Sequence, residues 1–130
     1  MKISVVCVGK VKEKFYRDAI DEFVKRLSRY CKLEILEVAD EKTPDNASEG
    51  LENQIKEKEG ERILSKVPDN AYVVALAIDG KQLSSEELAD KMEKWNVNGV
   101  SHLVFIIGGS LGLTQKVLNR ADYSLSFSKM

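Results

Sequence analysis

Histidine, tryptophan, proline and cysteine are nearly missing from this chain: one His, one Trp, two Pro and two Cys in 130 residues. With only Cys7, Cys31 and His102 to draw on, and no C-x-x-C pair, a metal site built from Cys and His is not expected. Two scattered thiols fit a reducing cytoplasm better than a disulfide scaffold, although the count alone also allows one bridge between them. An excess of charge of either sign is missing too. Lys and Arg total 20 against 21 Asp and Glu, a net charge of −1. A general nucleic-acid binder carries a basic footprint, so any RNA contact must come from a local patch or from a partner subunit. No apolar run is long enough to span a membrane. The opening "MKISVVCVGKVKEKF" has a short apolar run with no small-residue cleavage site after it, which predicts a buried first strand rather than a leader. Repeats, low-complexity tracts and linkers are absent, so residues 1–130 form a single domain, a size that buries a useful core.

What is present is an alternation of strand-like and helix-like segments. "ISVVCVG" (3–9) is apolar and β-branched. Residues 14–30 place Tyr16, Ile20, Phe23, Leu27 and Tyr30 at helical spacing with charges opposite. "LEILEVAD" alternates as a half-exposed strand does, with Leu33 and Ile35 on one side. "ADEKTPDNASEG" is rich in turn formers and predicts a mobile loop over one edge. "LENQIKEKEGERILSKV" predicts a helix with Leu51, Ile55, Ile63 and Leu64 inward, its "KEKEGER" face exposed and without chemistry. "YVVALAI" (72–78) is fully apolar, as a central parallel strand covered on both faces should be. Asp79-Gly80-Lys81 should turn the chain. Ser84 and Glu87 form an S-x-x-E capping box ahead of Leu88, Met92 and Trp95. "HLVFII" is another buried strand, Thr114 can cap a short helix carrying Val117 and Leu118, and "YSLSF" is a last strand. The order argues for an α/β fold, a parallel sheet with helices on both faces and right-handed crossovers. In "YSLSFSKM", Tyr123, Leu125 and Phe127 share an apolar side that needs a cover and should otherwise leave an exposed patch.

Ligands of such sheets bind at the carboxyl ends of strands. Three loops leave those ends: Gly9-Lys10, Asp79-Gly80-Lys81 and Gly108 to Gly112. The last is the most glycine-rich. Glycine lets backbone approach a flat ligand without a Cβ in the way. Its G-G-x-x-G spacing matches neither the dinucleotide fingerprint nor the P-loop. Pattern alone leaves open whether it holds a ligand or is a tight turn that binds nothing.

"VFIIGGSLGL" followed by "ADYSLSFSKM", with "VVALAIDGK", "EVADEKTPDN", "EKEGERILSK" and the opening "MKISVVCVGKVKEKF" in order, resembles the ribosomal RNA large-subunit methyltransferase H family across the whole chain. These are bacterial enzymes of the SPOUT class. The resemblance implies a trefoil-knot α/β fold, S-adenosylmethionine as methyl donor and N3 of a pseudouridine in large-subunit rRNA as target. It also implies action on the assembled ribosome in the cytoplasm, as a homodimer, with no metal or membrane. The donor would lie among Leu76, Gly108 and the segment Phe127, Ser128, Lys129 and Met130. No catalytic base stands out. In the family a Pro-His-containing loop and a helix follow "SFSKM", tie the knot and complete the pocket. Ending at Met130 is what a shortened chain would do, so donor binding is expected to be weak and methyl transfer absent; a non-catalytic fragment is the alternative.

Plainer roles are expected elsewhere. His102 should be a hydrogen-bonded structural residue and Trp95 part of a core or interface. Lys25, Arg26, Arg29 and Lys32 should form a solvated helix face. Lys10, Lys12 and Lys14 sit beside the pocket and are candidates for RNA phosphate. Glu57 and Glu61 are not singled out by anything.

Overall fold

A computed structural model describes residues 1–9, 18, 22, 25, 32–109 and 111–126. Its strands are β1 (Lys2–Val8), β2 (Lys32–Val38), β3 (Tyr72–Gln82), β4 (His102–Ile107) and β5 (Tyr123–Ser126). They form one sheet in the order β2-β1-β4-β3-β5, and every pairing is parallel. The described helices are α1 (Glu49–Leu64), α2 (Ser85–Val97) and α3 (Gln115–Arg120). The helix expected over 14–30 falls mostly outside the described residues; Asp18, Glu22 and Lys25 within it are helical and exposed.

Side chains alternate along a strand, so two apolar faces form. On one, Val6, Val38, Val73, Val104 and Ile106 pack with Ile63 of α1 and Val117 of α3. On the other, Ile3, Val74, Leu103 and Leu125 pack with Leu88 and Met92 of α2. Helices therefore cover both faces, as the alternation of segments requires. Each such fully buried aliphatic side chain contributes about 1.5–3 kcal/mol. The caps follow the sequence signals. Glu87 N–H donates to Ser84 Oγ at 3.1 Å while Ser84 N–H donates to the Glu87 carboxylate at 3.0 Å. Thr114 Oγ1 accepts from Val117 N–H at 3.3 Å.

Four expectations need correction. First, α1 starts at Glu49 because the Ser48 hydroxyl accepts from Leu51 N–H, so Glu49 and Gly50 belong to the helix and not to the loop. Second, Ile55, Ile63 and the partly buried Leu64 do face the core, but Glu59 and Gly60 join them, while Leu51 is 37% exposed. Gly60 faces α3, where a Cβ would stand 3.1 Å from Thr114 Oγ1 and 3.2 Å from Val117 Cγ2. Part of "KEKEGER" is thus a packing surface.

Third, β3 does not stop at Ile78. Its ladder with β5 runs Val74–Tyr123, Ala75–Ser124 and Leu76–Leu125, then resumes as Lys81–Leu125 and Gln82–Ser126. Residues 77–80 arch out between two pairings with the same leucine. At the foot of the arch, a Cβ on Gly80 would stand 2.6 Å from the Leu125 carbonyl carbon and 2.7 Å from its nitrogen, so only glycine lets the two backbones pass. The turn-like composition was real, but pairing with a strand more than 40 residues later carries the ladder past it.

Fourth, the apolar side of β5 has a cover. Leu125 has no exposed surface, and the Trp95 ring of α2 lies 4.7 Å from Tyr72 and 5.7 Å from Tyr123. Lys91 stands over the Tyr123 ring at 5.0 Å. Phe127 lies outside the described residues. The entry of β5 is clasped by Arg120, whose guanidinium donates to the carbonyls of Pro68 at 3.1 Å and Ala71 at 3.0 Å. Asp122 and Val73 then exchange two hydrogen bonds, at 2.8 and 2.7 Å.

Candidate functional site

In the sheet order, β1 leads to β2 on one side while β4 leads to β5 on the other. Connections that diverge from neighbouring strands open a crevice at their carboxyl ends. Gly9 leaves β1 there and Gly108 leaves β4. One row of paired residues runs along this end of the sheet: Cys7 beside Ile107, Ile107 beside Leu76, and Leu76 beside Leu125. Gly108 follows Ile107 directly, so the fold brings Leu76 and Gly108 together. The end of β5 points the same way, because Leu125 lies in that row. Phe127, Ser128, Lys129 and Met130 lie outside the described residues. Leu76 is half-buried against the face that holds Leu125.

The glycine loop is folded upon itself. Gly112 N–H donates to Gly109 O at 3.0 Å, and Gly112 has φ +85°, the left-handed region that glycine occupies without strain. A Cβ at Gly108 would stand 2.8 Å from Leu113 Cδ2 and 3.1 Å from the Gly112 carbonyl carbon. A side chain at 108 would therefore press on the loop's own packing, first on the end of Leu113, whatever the loop holds. Gly108→Val would disturb the loop before it tested a ligand.

Beside this loop lies a residue the sequence reading passed over. Glu59 is only 5% exposed although it is a carboxylate. Its Oε2 accepts from Glu41 N–H at 3.0 Å, and its Oε1 lies 3.0 Å from where a Cβ on Gly109 would stand. Val8 Cγ1 closes the same spot at 3.2 Å. The signal was legible: Ile55, Glu59 and Ile63 are four apart, one inward stripe, whereas the exposed Glu57 and Glu61 are off it. Arg62 Nη1 donates to Ala39 O at 2.8 Å and its other nitrogen pairs with the Glu41 carboxylate. The polar stretch expected to be mobile is thus tied to α1 at Ala39–Glu41. Asp40 reaches the first glycine: a Cβ on Gly9 would stand 3.4 Å from Asp40 Cγ. Cys7, in the same row, is a free buried thiol pushed up by burial and then by Glu37, so it is not poised as a nucleophile.

The other candidates lie elsewhere. His102 is at the opposite end of the sheet, with Nε2 2.8 Å from Ser4 Oγ, and Ser4 donates to Glu34 at 2.9 Å. That is the structural role expected of it. Burial, and then Lys2, hold the imidazole below the ordinary histidine range, with Glu34 opposing. Trp95 sits in the aromatic cluster under β5. Lys32 is exposed on β2, not on a helix; Arg26 and Arg29 lie outside the described residues, as do Lys10, Lys12 and Lys14.

A family model described as "Predicted SPOUT methyltransferase" matches residues 1–130. The chain belongs to the SPOUT methyltransferase family. Among its curated relatives, a ribosomal RNA large subunit methyltransferase H of Bifidobacterium adolescentis is 65% identical over 130 residues, and one of Bifidobacterium animalis subsp. lactis is 64% identical. One of Clostridium botulinum is 61% identical. Each match takes in 100% of this chain and 82% of the relative. A methyltransferase requires a methyl donor and a place to hold it beside its acceptor. At the carboxyl end of the sheet, Leu76 pairs with Ile107, the residue that leads into the glycine loop.

Proposed function

We propose that this chain carries the fold and the donor site of an enzyme that methylates large-subunit rRNA, taking the methyl group from S-adenosylmethionine and placing it on N3 of a pseudouridine. The names carried by its relatives support rRNA as the substrate, and the row that joins Leu76, Ile107 and Gly108 carries the choice of site. Leu76 supplies an apolar wall for the adenine ring, and Gly108 opens backbone N–H and C=O groups to the ribose or the amino-acid portion. Phe127, Ser128, Lys129 and Met130 are the third donor-contacting segment. When bound, S-adenosylmethionine supplies a methyl carbon on a sulfonium, whose positive charge makes the thioether a good leaving group. The protein's part is to hold that carbon in line with N3 and to keep the base still, which converts a bimolecular displacement into a positioned one. The proton on N3 must leave as the new bond forms; no side chain is assigned to take it. The assembled ribosome is the partner, the working form is a homodimer and the compartment is the cytoplasm.

Calorimetric titration with S-adenosylhomocysteine tests the donor site. Saturable binding with Kd no weaker than about 1 mM is expected, lost when Leu76 becomes Glu. No heat at that concentration overturns the assignment. Mass spectrometry of large-subunit rRNA after incubation of ribosomes with the protein and donor tests the target; a methyl group on any other nucleotide overturns it.

A further inference from the structure

Glu59 has no part in the proposal above, yet its setting demands a reason. Burying a carboxylate is costly compared with the isoleucines that occupy the same stripe one turn before and after it. Its two oxygens face two different segments. Oε2 holds the backbone N–H of Glu41, and Oε1 lies against Gly109, in the crevice between β1 and β4. Arg62, one turn on, fastens the same Ala39–Glu41 segment from the other side.

We infer that Glu59 is a positioning residue that couples the Ala39–Glu41 segment to the glycine loop and sets the shape of the site mouth. Resting on the donor site proposed above, it explains why a charged side chain replaces an apolar one there. Apolar packing could fill the space, but it would leave Glu41 N–H without an acceptor and would fix neither segment relative to the other. Oε1 occupies the space next to Gly109 where a Cβ would stand, so a shift of the glycine loop toward α1 would press on the carboxylate that holds Glu41.

Amide hydrogen exchange of the whole chain tests the coupling without any ligand. Glu59→Ala should speed exchange at Glu41 and also at Gly109 and Gly112, each by roughly tenfold, while Val6, Val74 and Val104 in the core strands keep their rates. Glu59→Gln keeps an acceptor of the same size and should restore most of the protection. Acceleration at Glu41 alone, equal acceleration of the core strands, or failure of Gln to restore the loops would each overturn the inference. If Glu59→Ala does not fold, Gly109→Ala approaches from the other side: its Cβ presses on Oε1 and should speed exchange at Glu41, a residue far from it in sequence. An unchanged Glu41 amide would count against the coupling. A parallel titration with S-adenosylhomocysteine separates the two proposals. Wild-type protein that shows the coupled exchange but binds nothing loses the donor site and keeps the role of Glu59 in joining the loops. Binding weakened about tenfold by Ala and rescued by Gln supports both.

Discussion

The two ends of the sheet are built on opposite plans. At the amino end, side chains cross the strands: Ser4 of β1 bonds to Glu34 of β2 and to His102 of β4, and Lys2 lies 3.4 Å from Glu34. At the carboxyl end, the close contacts are made by glycine backbone. Gly80 passes Leu125, Gly108 lies against Gly112 and Leu113, and Gly109 against Glu59. The first plan uses polar side chains on one another and leaves few of them free to meet a ligand. The second uses glycines where strands end, so that neighbouring chain segments pack directly against the main chain. The proposed donor site lies at the second end, beside the glycine loop.

The comparison can be broken most directly at Gly80. Gly80→Ala places a Cβ 2.6 Å from the Leu125 backbone, and neither strand can move without losing its ladder. Loss of roughly 4 kcal/mol or more, or failure to fold, is expected in thermal unfolding. Gly50→Ala is the control: nothing lies within 4 Å of its Cβ position, and the change should raise stability by about 0.5 kcal/mol. If both glycines tolerate alanine alike, the backbone contacts at the carboxyl end are not what holds it.

Leu125→Ala comes next. This side chain is fully buried between β3 and α2, so truncation should cost roughly 2–5 kcal/mol in denaturant unfolding. A smaller loss would mean that the arch closes over the cavity.

At the amino end the expected effects are smaller. Ser4→Ala leaves His102 and Glu34 without their shared partner and should cost roughly 1–3 kcal/mol, while S-adenosylhomocysteine affinity stays unchanged. A change in affinity would show that the two ends are not independent.

The smallest effect is a pH dependence. His102 is held below its ordinary value in the folded protein, so between that lowered value and about 6.5 the unfolded chain binds more protons. Stability should therefore be fully present above about 6.5 and fall as the pH drops below it. Glu34, lowered chiefly by its bond from Ser4, adds a loss of the same sign at more acid pH. His102→Gln should flatten the curve near neutrality; an unchanged slope would place the titration elsewhere.

Much of this was legible in the chain itself. Period-two and period-3.6 patterns mark where strands and helices lie, because a sheet face or a helix stripe must be apolar to be buried. The caps at Ser84 and Thr114 follow from local chemistry within four residues. The glycine run after "HLVFII" marks where β4 ends in a tight loop, because glycine allows the close packing found there. The third dimension decided the rest. Glu59 has the composition of a solvated face and the position of a core residue. Gly80 has the composition of a turn yet sits at the foot of an arch within β3, since the Leu125 backbone it passes comes 45 residues later. The strand order, which brings Leu76 beside Ile107, depends on which hydrophobic faces can be covered together. Local sequence determines what each segment is; only long-range packing determines what it meets.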